Sequence, residues 1–218
     1  GQAFVTQYAS PQVRGAALHL ERAAVFFTDR LSASIVLAME TAKQHGALVY
    51  FEPSARKDEV LFARALRAST IVKVSADRVE LSDVERHALD RVTIHTLGAG
   101  GLVAAIGQRR WRVGPEPVQR LVDTCGAGDM LTVGILHHLL TLQRPFSSED
   151  LLAGIMVGTR LAALNCSFVG ARGLFLALGG DMVADGIRRN FDERFVARAL
   201  LLDPFAGYRP QATRRQRA

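Results

Sequence analysis

The segment from Asp123 to Asp129 places two glycines and two carboxylates directly before an apolar run. Its sequence is Asp-Thr-Cys-Gly-Ala-Gly-Asp. So little side chain surrounds Gly126, Ala127 and Gly128 that backbone N–H groups can approach an anion closely. The apolar run has helical spacing, which predicts that Asp129 lies at a helix N-terminus, where the helix dipole favours negative charge. Amides that hold a phosphate beside a proton-accepting carboxylate would suit phosphoryl transfer to a hydroxyl group.

A bare Gly-Xaa-Gly-Asp also fits an ordinary connection between a loop and a helix, with Asp129 as the N-cap. The complete seven-residue string before an apolar helix resembles the signature of the ribokinase-like (PfkB) family of carbohydrate kinases. The resemblance implies an ATP-dependent kinase in which Asp129 is the general base and Mg²⁺ bridges the phosphates. The N–H groups of Gly126, Ala127 and Gly128 would then hold the γ-phosphate.

Two further residues of this segment are expected beside bound cofactors. The resemblance implies that Thr124 contributes to the nucleotide site. The family sometimes binds a monovalent cation near the first aspartate of the signature, which is Asp123 in this sequence. Asp123 is therefore a candidate metal-binding residue.

A glycine-rich turn from Thr96 to Gly101 follows an apolar run. It is not a dinucleotide-binding fingerprint, because that motif must open a helix and the strand-like run Leu102–Ile106 comes next. The phosphate-loop ending Gly-Lys-Ser/Thr does not occur in the sequence. In ribokinase-like enzymes a Thr-Xaa-Gly segment lines the nucleotide-phosphate site at this place, and Thr96, Gly98 and Gly101 match that segment.

Polar residues also end two of the preceding apolar runs. Glu52 follows one of them, and a carboxylate there would face the crevice where open α/β sheets bind ligands, although the following Pro and Ser equally favour a plain turn. The resemblance implies that Glu52 helps to hold metal-bound phosphates and that Lys73 and Ser75 contact the nucleotide. Ser75 and Arg78 stand where the family often has the Asn and Glu that organise Mg²⁺.

Asn165 precedes a Gly-Ala pair that resembles the closing motif of the family. The resemblance implies a contact between Asn165 and the adenine or ribose, whereas the residue type also fits an ordinary helix end. His137 and His138 are adjacent on a predicted helix, so their side chains point about 100° apart and do not share a metal-binding face.

The rest of the sequence predicts the elements that position these residues. Four apolar runs predict strands, at 23–27, 47–51, 70–74 and 92–96. Segments with helical periodicity lie between them, with Ser32 as the N-cap of the first. This alternation predicts an α/β fold with a mainly parallel sheet flanked by helices on both faces.

The second half of the chain is predicted to begin with an antiparallel edge hairpin. Its strands are expected at 102–106 and 111–113, with a turn between them. The helix that contains Asp129 follows, and then a long helix over 149–164 with Ser147 or Ser148 as the N-cap. A single further helical stretch is expected after Gly173.

The formal net charge is +6, but much of the excess lies in the last ten residues. The arginines there are Arg209, Arg214, Arg215 and Arg217. We therefore expect one α/β domain over residues 1–205, a basic, disordered tail over 206–218 and no nucleic-acid partner.

Two cysteines are too few for a disulfide framework or a structural zinc site. The first residues do not have the pattern of a signal peptide, and no apolar run approaches the roughly 20 residues of a membrane span. We therefore expect a cytoplasmic protein without a membrane partner. Members of the family commonly dimerise through the lid, so a homodimer is one candidate assembly and the oligomeric state stays open.

The resemblance covers only the later part of a ribokinase-like kinase. The substrate motifs and the β-stranded lid that family members carry near the N-terminus are not recognisable before Ala23. The first hypothesis is therefore an ATP-dependent kinase of a sugar or similar small alcohol. The alternatives are a catalytically impaired nucleotide-binding or interaction protein on the same scaffold, and a nucleic-acid binder that uses the basic tail.

Overall fold

A six-stranded sheet dominates the first part of the chain in the computed structural model. The structure describes residues 19–55, 58–79, 84, 91–142 and 144–205. It divides into two compact units, Gly1–Pro115 and Glu116–Ala218. The predicted tail over 206–218 lies outside the described residues, as does most of the helical segment predicted between the apolar runs at 70–74 and 92–96.

The strands of the first unit follow one another across the sheet in chain order. They are β1 (Val25–Thr28), β2 (Leu48–Phe51), β3 (Ile71–Ser75), β4 (Val92–Thr96), β5 (Leu102–Ile106) and β6 (Arg109–Val113). Strands β1 to β4 pair in parallel, and β5 and β6 add an antiparallel hairpin. The mainly parallel sheet with an antiparallel edge, flanked by helices, is therefore confirmed.

The first helix of this unit begins directly after its predicted N-cap, and the second begins in the same way after an aspartate. Helix α1 (Ala33–Gln44) is capped by Ser32, whose hydroxyl accepts the N–H of Ile35. Helix α2 (Glu59–Ala68) is capped in the same way by Asp58. The apolar residues of both helices share a core with alternate residues of β2 and β3. Alternate residues of a strand point to the same face of a sheet, so both helices pack on one face. Those core residues include Val36, Met39, Phe62, Leu66, Val49, Phe51, Val72 and Val74.

The edge hairpin differs from its prediction at the second strand. Strand β6 begins at Arg109, which pairs with Ile106, so only Gly107 and Gln108 form the loop. Gly107 has a φ of 56°, and a positive φ at the first loop residue is the pattern of a tight two-residue hairpin turn. Because this glycine permits the tighter turn, strand pairing starts two residues earlier than expected.

The only regular secondary structure in the described part of the second unit is helical. Its helices are α3 (Ala127–Thr141), α4 (Ser148–Asn165), α5 (Gly173–Leu178), α6 (Gly180–Arg188) and α7 (Glu193–Leu200). Ser147 caps α4 and forms a capping box with Asp150. The prediction of a single helical stretch after Gly173 was wrong, because the chain there forms three helices. The first break is at Gly179 and the second is at Asn190 and Phe191. All three residues have positive φ values.

Helices α3 and α4 approach each other at two glycines. A Cβ atom on Gly134 would collide with the Cα of Gly158, and one on Gly158 would collide with the carbonyl oxygen of Leu131. The helix backbones therefore touch at a point where no larger residue fits. No helix in the described ranges is long and apolar enough to cross a membrane.

Replacing Gly158 with Ala should therefore lower the free energy of unfolding by about 1–3 kcal/mol, the usual cost of overpacking. The added methyl group would meet the backbone of Leu131, which cannot move without shifting α3. Urea denaturation of the variant and the wild type measures the difference.

Gly154→Ala is the matched control on the same helix. A Cβ there would lie 3.4 Å from the His138 ring, an ordinary contact, and alanine favours a helix over glycine by up to about 1 kcal/mol. Equal losses of stability in the two variants would contradict the close approach at Gly158.

Candidate functional site

The carboxylate of Asp123 joins two segments of the second unit. Its Oδ1 accepts the backbone N–H of Cys125 at 2.9 Å, and its Oδ2 accepts the N–H of Gly170 at 2.8 Å. The hydrogen bonds from Cys125 and Gly170 hold the pKa of Asp123 below its usual value. The carboxylate is therefore ionised at neutral pH while it holds the two segments together.

Gly126 sits where these two segments touch. It has a φ of 78° and forms the N-cap of α3. A Cβ at this position would lie 2.5 Å from the Cα of Ala171. Both the left-handed backbone and the missing space require glycine here.

The first turn of α3 presents polar groups to solvent. Asp129 lies in that turn, as the sequence predicts, and its side chain is exposed, as are those of Thr124 and Cys125. The N–H of Ala127 donates to the carbonyl of Thr124 at 3.2 Å. In the part of the chain that the structure describes, the amides of Gly126 and Asp129 have no hydrogen-bond partner.

Asn165 ends α4 with its side chain fully buried. Its Nδ2 donates to the carbonyl oxygens of Cys125 at 3.4 Å and Gly170 at 3.5 Å. Its Oδ1 accepts the N–H of Leu174 at 3.2 Å. The structure thus places Asn165 as a brace between the loop before α3 and the start of α5, and its polar atoms point into the protein.

Arg120 holds several segments of this unit together, a structural role that local sequence patterns do not reveal. Its guanidinium donates to the carbonyls of Leu200 and Leu202, at the C-terminal end of α7, and to the carbonyl of Ser167. It also lies 5.7 Å from the ring centre of Phe168. Because these partners are far away along the chain, only the folded structure shows that Arg120 fixes the segment leading to Asp123.

In the first unit, a buried ion pair joins the middle of β3 to the residue that follows β2. The ammonium of Lys73 is 2.7 Å from Oε1 of Glu52, and the Lys73 side chain is 2% exposed. The Glu52 side chain is 20% exposed. A buried ammonium requires such a partner because leaving water is costly for a charge.

The other predicted residues of this unit lie along one edge of the sheet. Ser75 at the end of β3 pairs in register with Thr96 at the end of β4, and the Thr96 hydroxyl donates to the carbonyl of Val74. Gly98 begins a short 3-10 turn with a φ of 56°. The parallel strands thus bring these residues to their common C-terminal edge, as expected for open α/β sheets.

The backbone conformation and the close packing at position 101 require a glycine. Its φ is 83°, and a Cβ there would collide with the carbonyl oxygen of Val113. The glycine therefore lets the first residue before β5 pass close to the end of β6. This requirement holds whatever the residue contributes to ligand binding.

A cavity of about 430 Å³ lies elsewhere in the second unit, beside α4 and the connection between α6 and α7. Its lining includes Arg160, Arg189, Glu116 and Glu193. The predicted site residues are all absent from its lining. Within the described ranges, no group of three or more His, Cys, Asp or Glu side chains could hold a metal ion.

Comparison with known proteins identifies a family. The model described as pfkB family carbohydrate kinase matches residues 13–178, which is more than half of the chain. No curated protein sequence matches the chain significantly.

Several solved structures have a similar fold. A fructokinase from Vibrio cholerae O395, with fructose, ADP and calcium ion bound, is 23% identical with a TM-score of 0.55, and the match covers 64% of this chain and 51% of that one. An aminoimidazole riboside kinase from Salmonella enterica is 23% identical with a TM-score of 0.57, covering 67% of this chain and 57% of that one. A Burkholderia thailandensis nucleoside kinase in complex with inosine is 16% identical with a TM-score of 0.56, covering 72% and 55%. The chain therefore spans about half the length of these kinases.

Asp123→Asn should reduce stability at neutral pH, because it removes an anion that accepts two backbone N–H groups. The pKa of Asp123 in the folded protein lies below its value of about 4 in the unfolded chain. The contribution of its charge to the free energy of unfolding is therefore fully present above about pH 4. It is lost as the pH falls through the folded pKa. The difference in unfolding free energy between wild type and variant should therefore shrink between pH 7 and about pH 3.

Urea denaturation of both proteins at several pH values in this range measures that difference. A gap that stays constant with pH would contradict a role for the charge of Asp123.

Proposed function

Because the chain belongs to the pfkB family of carbohydrate kinases, we propose that it transfers the γ-phosphate of ATP to a hydroxyl group of a sugar or similar small alcohol. The observation that carries this proposal is the start of α3, where an exposed Asp129 stands beside a glycine-lined loop. The loop can take its path only because Gly126 packs against Ala171 and Asp123 ties it to Gly170.

In the proposed reaction, the Asp129 carboxylate accepts the proton of the substrate hydroxyl. The hydroxyl oxygen forms a bond to the γ-phosphorus while the bond from that phosphorus to the bridging oxygen breaks, and ADP leaves. The N–H groups of Gly126, Ala127 and Gly128 lie at the positive end of the α3 dipole and are proposed to stabilise the charge on the transferred group. For this, the N–H of Ala127 would exchange its hydrogen bond to the Thr124 carbonyl for one to a phosphate oxygen. Asp129 lies in the same helical turn, so base and anion site are held by one element.

The polar strand edge of the first unit is proposed to serve the nucleotide. Ser75 and Thr96 offer two hydroxyl groups there, which suit phosphate oxygens. The ammonium of Lys73 is proposed to join them by exchanging its buried ion pair with Glu52 for a phosphate oxygen.

The turn with Gly98 and Gly101 continues this edge. In the second unit, Thr124 is proposed as a nucleotide contact in its own right, because it is exposed beside the start of α3. Such groups bind phosphates without setting the identity of the sugar.

Mg²⁺ is proposed to bind mainly through the phosphates. The described residues offer no all-protein cage for a metal, and magnesium in kinases is commonly held by one or two carboxylates together with substrate phosphates. Glu52, a partly exposed carboxylate at the strand edge, fits that limited role. When bound, the ion would neutralise charge on the phosphate oxygens.

We infer the substrate class from the molecules that the similar solved kinases bind. The solved kinases hold fructose or inosine, or act on aminoimidazole riboside. All three molecules carry sugar hydroxyl groups. We propose that the substrate of this chain is a sugar or a nucleoside.

A second candidate function is a nucleotide-binding protein without turnover. Ser75 and the exposed Arg78 occupy places where the family resemblance implies residues that organise Mg²⁺. A neutral hydroxyl and a cation would not replace carboxylate or amide oxygens near the ion. Phosphoryl transfer from labelled ATP to a panel of sugars and nucleosides separates the two functions.

Asp129→Asn should lower the rate of phosphoryl transfer by about 10²–10⁴-fold, the usual contribution of a general base. Binding of ATP with Mg²⁺, measured by titration calorimetry, should stay within about twofold of the wild type because the backbone amides remain. Steady-state kinetics on the best substrate of the panel measures the loss.

Asp181→Asn is the matched control, since Asp181 is also an exposed acid in the first turn of a helix of this unit. The general-base assignment fails if Asp129→Asn keeps full turnover, or if both variants lose activity equally. Wild-type binding of ATP without any turnover on the panel would favour the second function.

A further inference from the structure

The surroundings of Asp123 can be tested for the monovalent cation that the family resemblance implies. Such ions are held by several carbonyl or carboxylate oxygens that replace their hydration shell. The oxygens available in this part of the second unit are the carboxylate of Asp123, which accepts the N–H groups of Cys125 and Gly170, and the carbonyls of the same two residues. The question is whether their lone pairs face an ion or a donor of the chain.

The two carbonyl oxygens face the side-chain amide of Asn165. The amide group has two N–H donors, and Nδ2 lies 3.4 Å from the Cys125 oxygen and 3.5 Å from the Gly170 oxygen. Two donors therefore match two acceptors. The side chain is 0% exposed, so water is not a competing partner.

The orientation of this amide is fixed by its partners. Oδ1 accepts the N–H of Leu174 at 3.2 Å. In the reversed orientation, Oδ1 would face two carbonyl oxygens and Nδ2 would face an N–H group, so that all three hydrogen bonds would be lost. The nitrogen must therefore point at Cys125 and Gly170.

The carboxylate of Asp123 is also supplied with donors from the chain. Each of its two oxygens accepts one backbone N–H, from Cys125 and from Gly170. The same two residues thus donate to Asp123 and accept from Asn165. A cation that bridged the Cys125 and Gly170 carbonyls would have to take the place of the buried Asn165 Nδ2, leaving the donors of the amide without partners.

We propose that the Asn165 side-chain amide occupies, in this chain, the position that the resemblance assigns to a monovalent cation. Its two N–H groups bridge the carbonyls of the loop before α3 and the loop before α5, as a small cation would. The chain accordingly orders this loop without potassium or sodium. The inference rests on the proposed function only in taking the loop as the one that holds phosphate.

The wild-type protein tests this directly through its response to salts. Thermal unfolding and binding of ATP with Mg²⁺ are measured in potassium, sodium and choline chloride at equal ionic strength. We expect midpoints within about 1 °C and dissociation constants within about twofold, because an ion that does not bind the native state cannot stabilise it. A rise in midpoint or affinity specific to potassium or sodium would overturn the proposal.

Asn165→Ala provides the complementary test. It leaves the Cys125 and Gly170 carbonyls without donors and opens a small space between them. We expect a midpoint several degrees below the wild type in choline chloride, recovered in part by potassium or sodium chloride. Equal responses of variant and wild type to the three salts would contradict the substitution of amide for cation.

Ser167→Ala is the matched control, because Ser167 is buried in the same segment and its side chain does not contact these carbonyls. It should follow the wild type in all three salts. If Asn165→Ala does not fold in any salt, the wild-type comparison decides the proposal by itself. Failure to bind ATP would count against the proposed function, whereas the unfolding midpoints still test the cation inference.

Discussion

The two hydrogen bonds accepted by Asp123 determine the shape of the second unit around the start of α3. One reaches Cys125, two residues further along the chain, and the other reaches Gly170, 47 residues away. A carboxylate that accepts backbone N–H groups on both oxygens forms charge-assisted bonds, and these define where the loop lies. The absence of a side chain on Gly126 then allows the loop to rest on Ala171.

The strand edge of the first unit is organised by a different principle. Parallel strands end at one edge, and the edge of β2, β3 and β4 collects Glu52, Ser75, Thr96 and the ammonium of Lys73. The buried ammonium of Lys73 is tolerated because Glu52 neutralises it at 2.7 Å. Polar chemistry at this edge therefore coexists with the apolar core that α1 and α2 form on one face of the sheet.

Local patterns in the sequence predict much of this fold. Ser32 caps the helix expected after it, and the apolar runs coincide with the strands to within two residues. The family match likewise confirms the resemblance carried by the Asp123–Asp129 string. These features depend on residues close in sequence, where capping, periodicity and motif spacing leave a direct signal.

Contacts between distant residues leave no such signal. Nothing local to Asn165 indicates that it would bond to Cys125, 40 residues earlier, and Arg120 finds partners 80 residues away. The positive φ values of Asn190 and Phe191 also break a stretch that reads as continuous helix. The site can therefore be located from its motif, while the bracing around it requires the structure.

The glycine contact between α3 and α4 has a consequence for motion. With the Gly158 backbone set against the carbonyl of Leu131, α3 cannot slide along α4 without a steric clash. A sliding or shear displacement of the first turn of α3 would press one backbone against the other, whereas a rotation of both helices together would not. A movement of Asp129 towards a partner molecule therefore meets least steric resistance when α3 and α4 move as a pair.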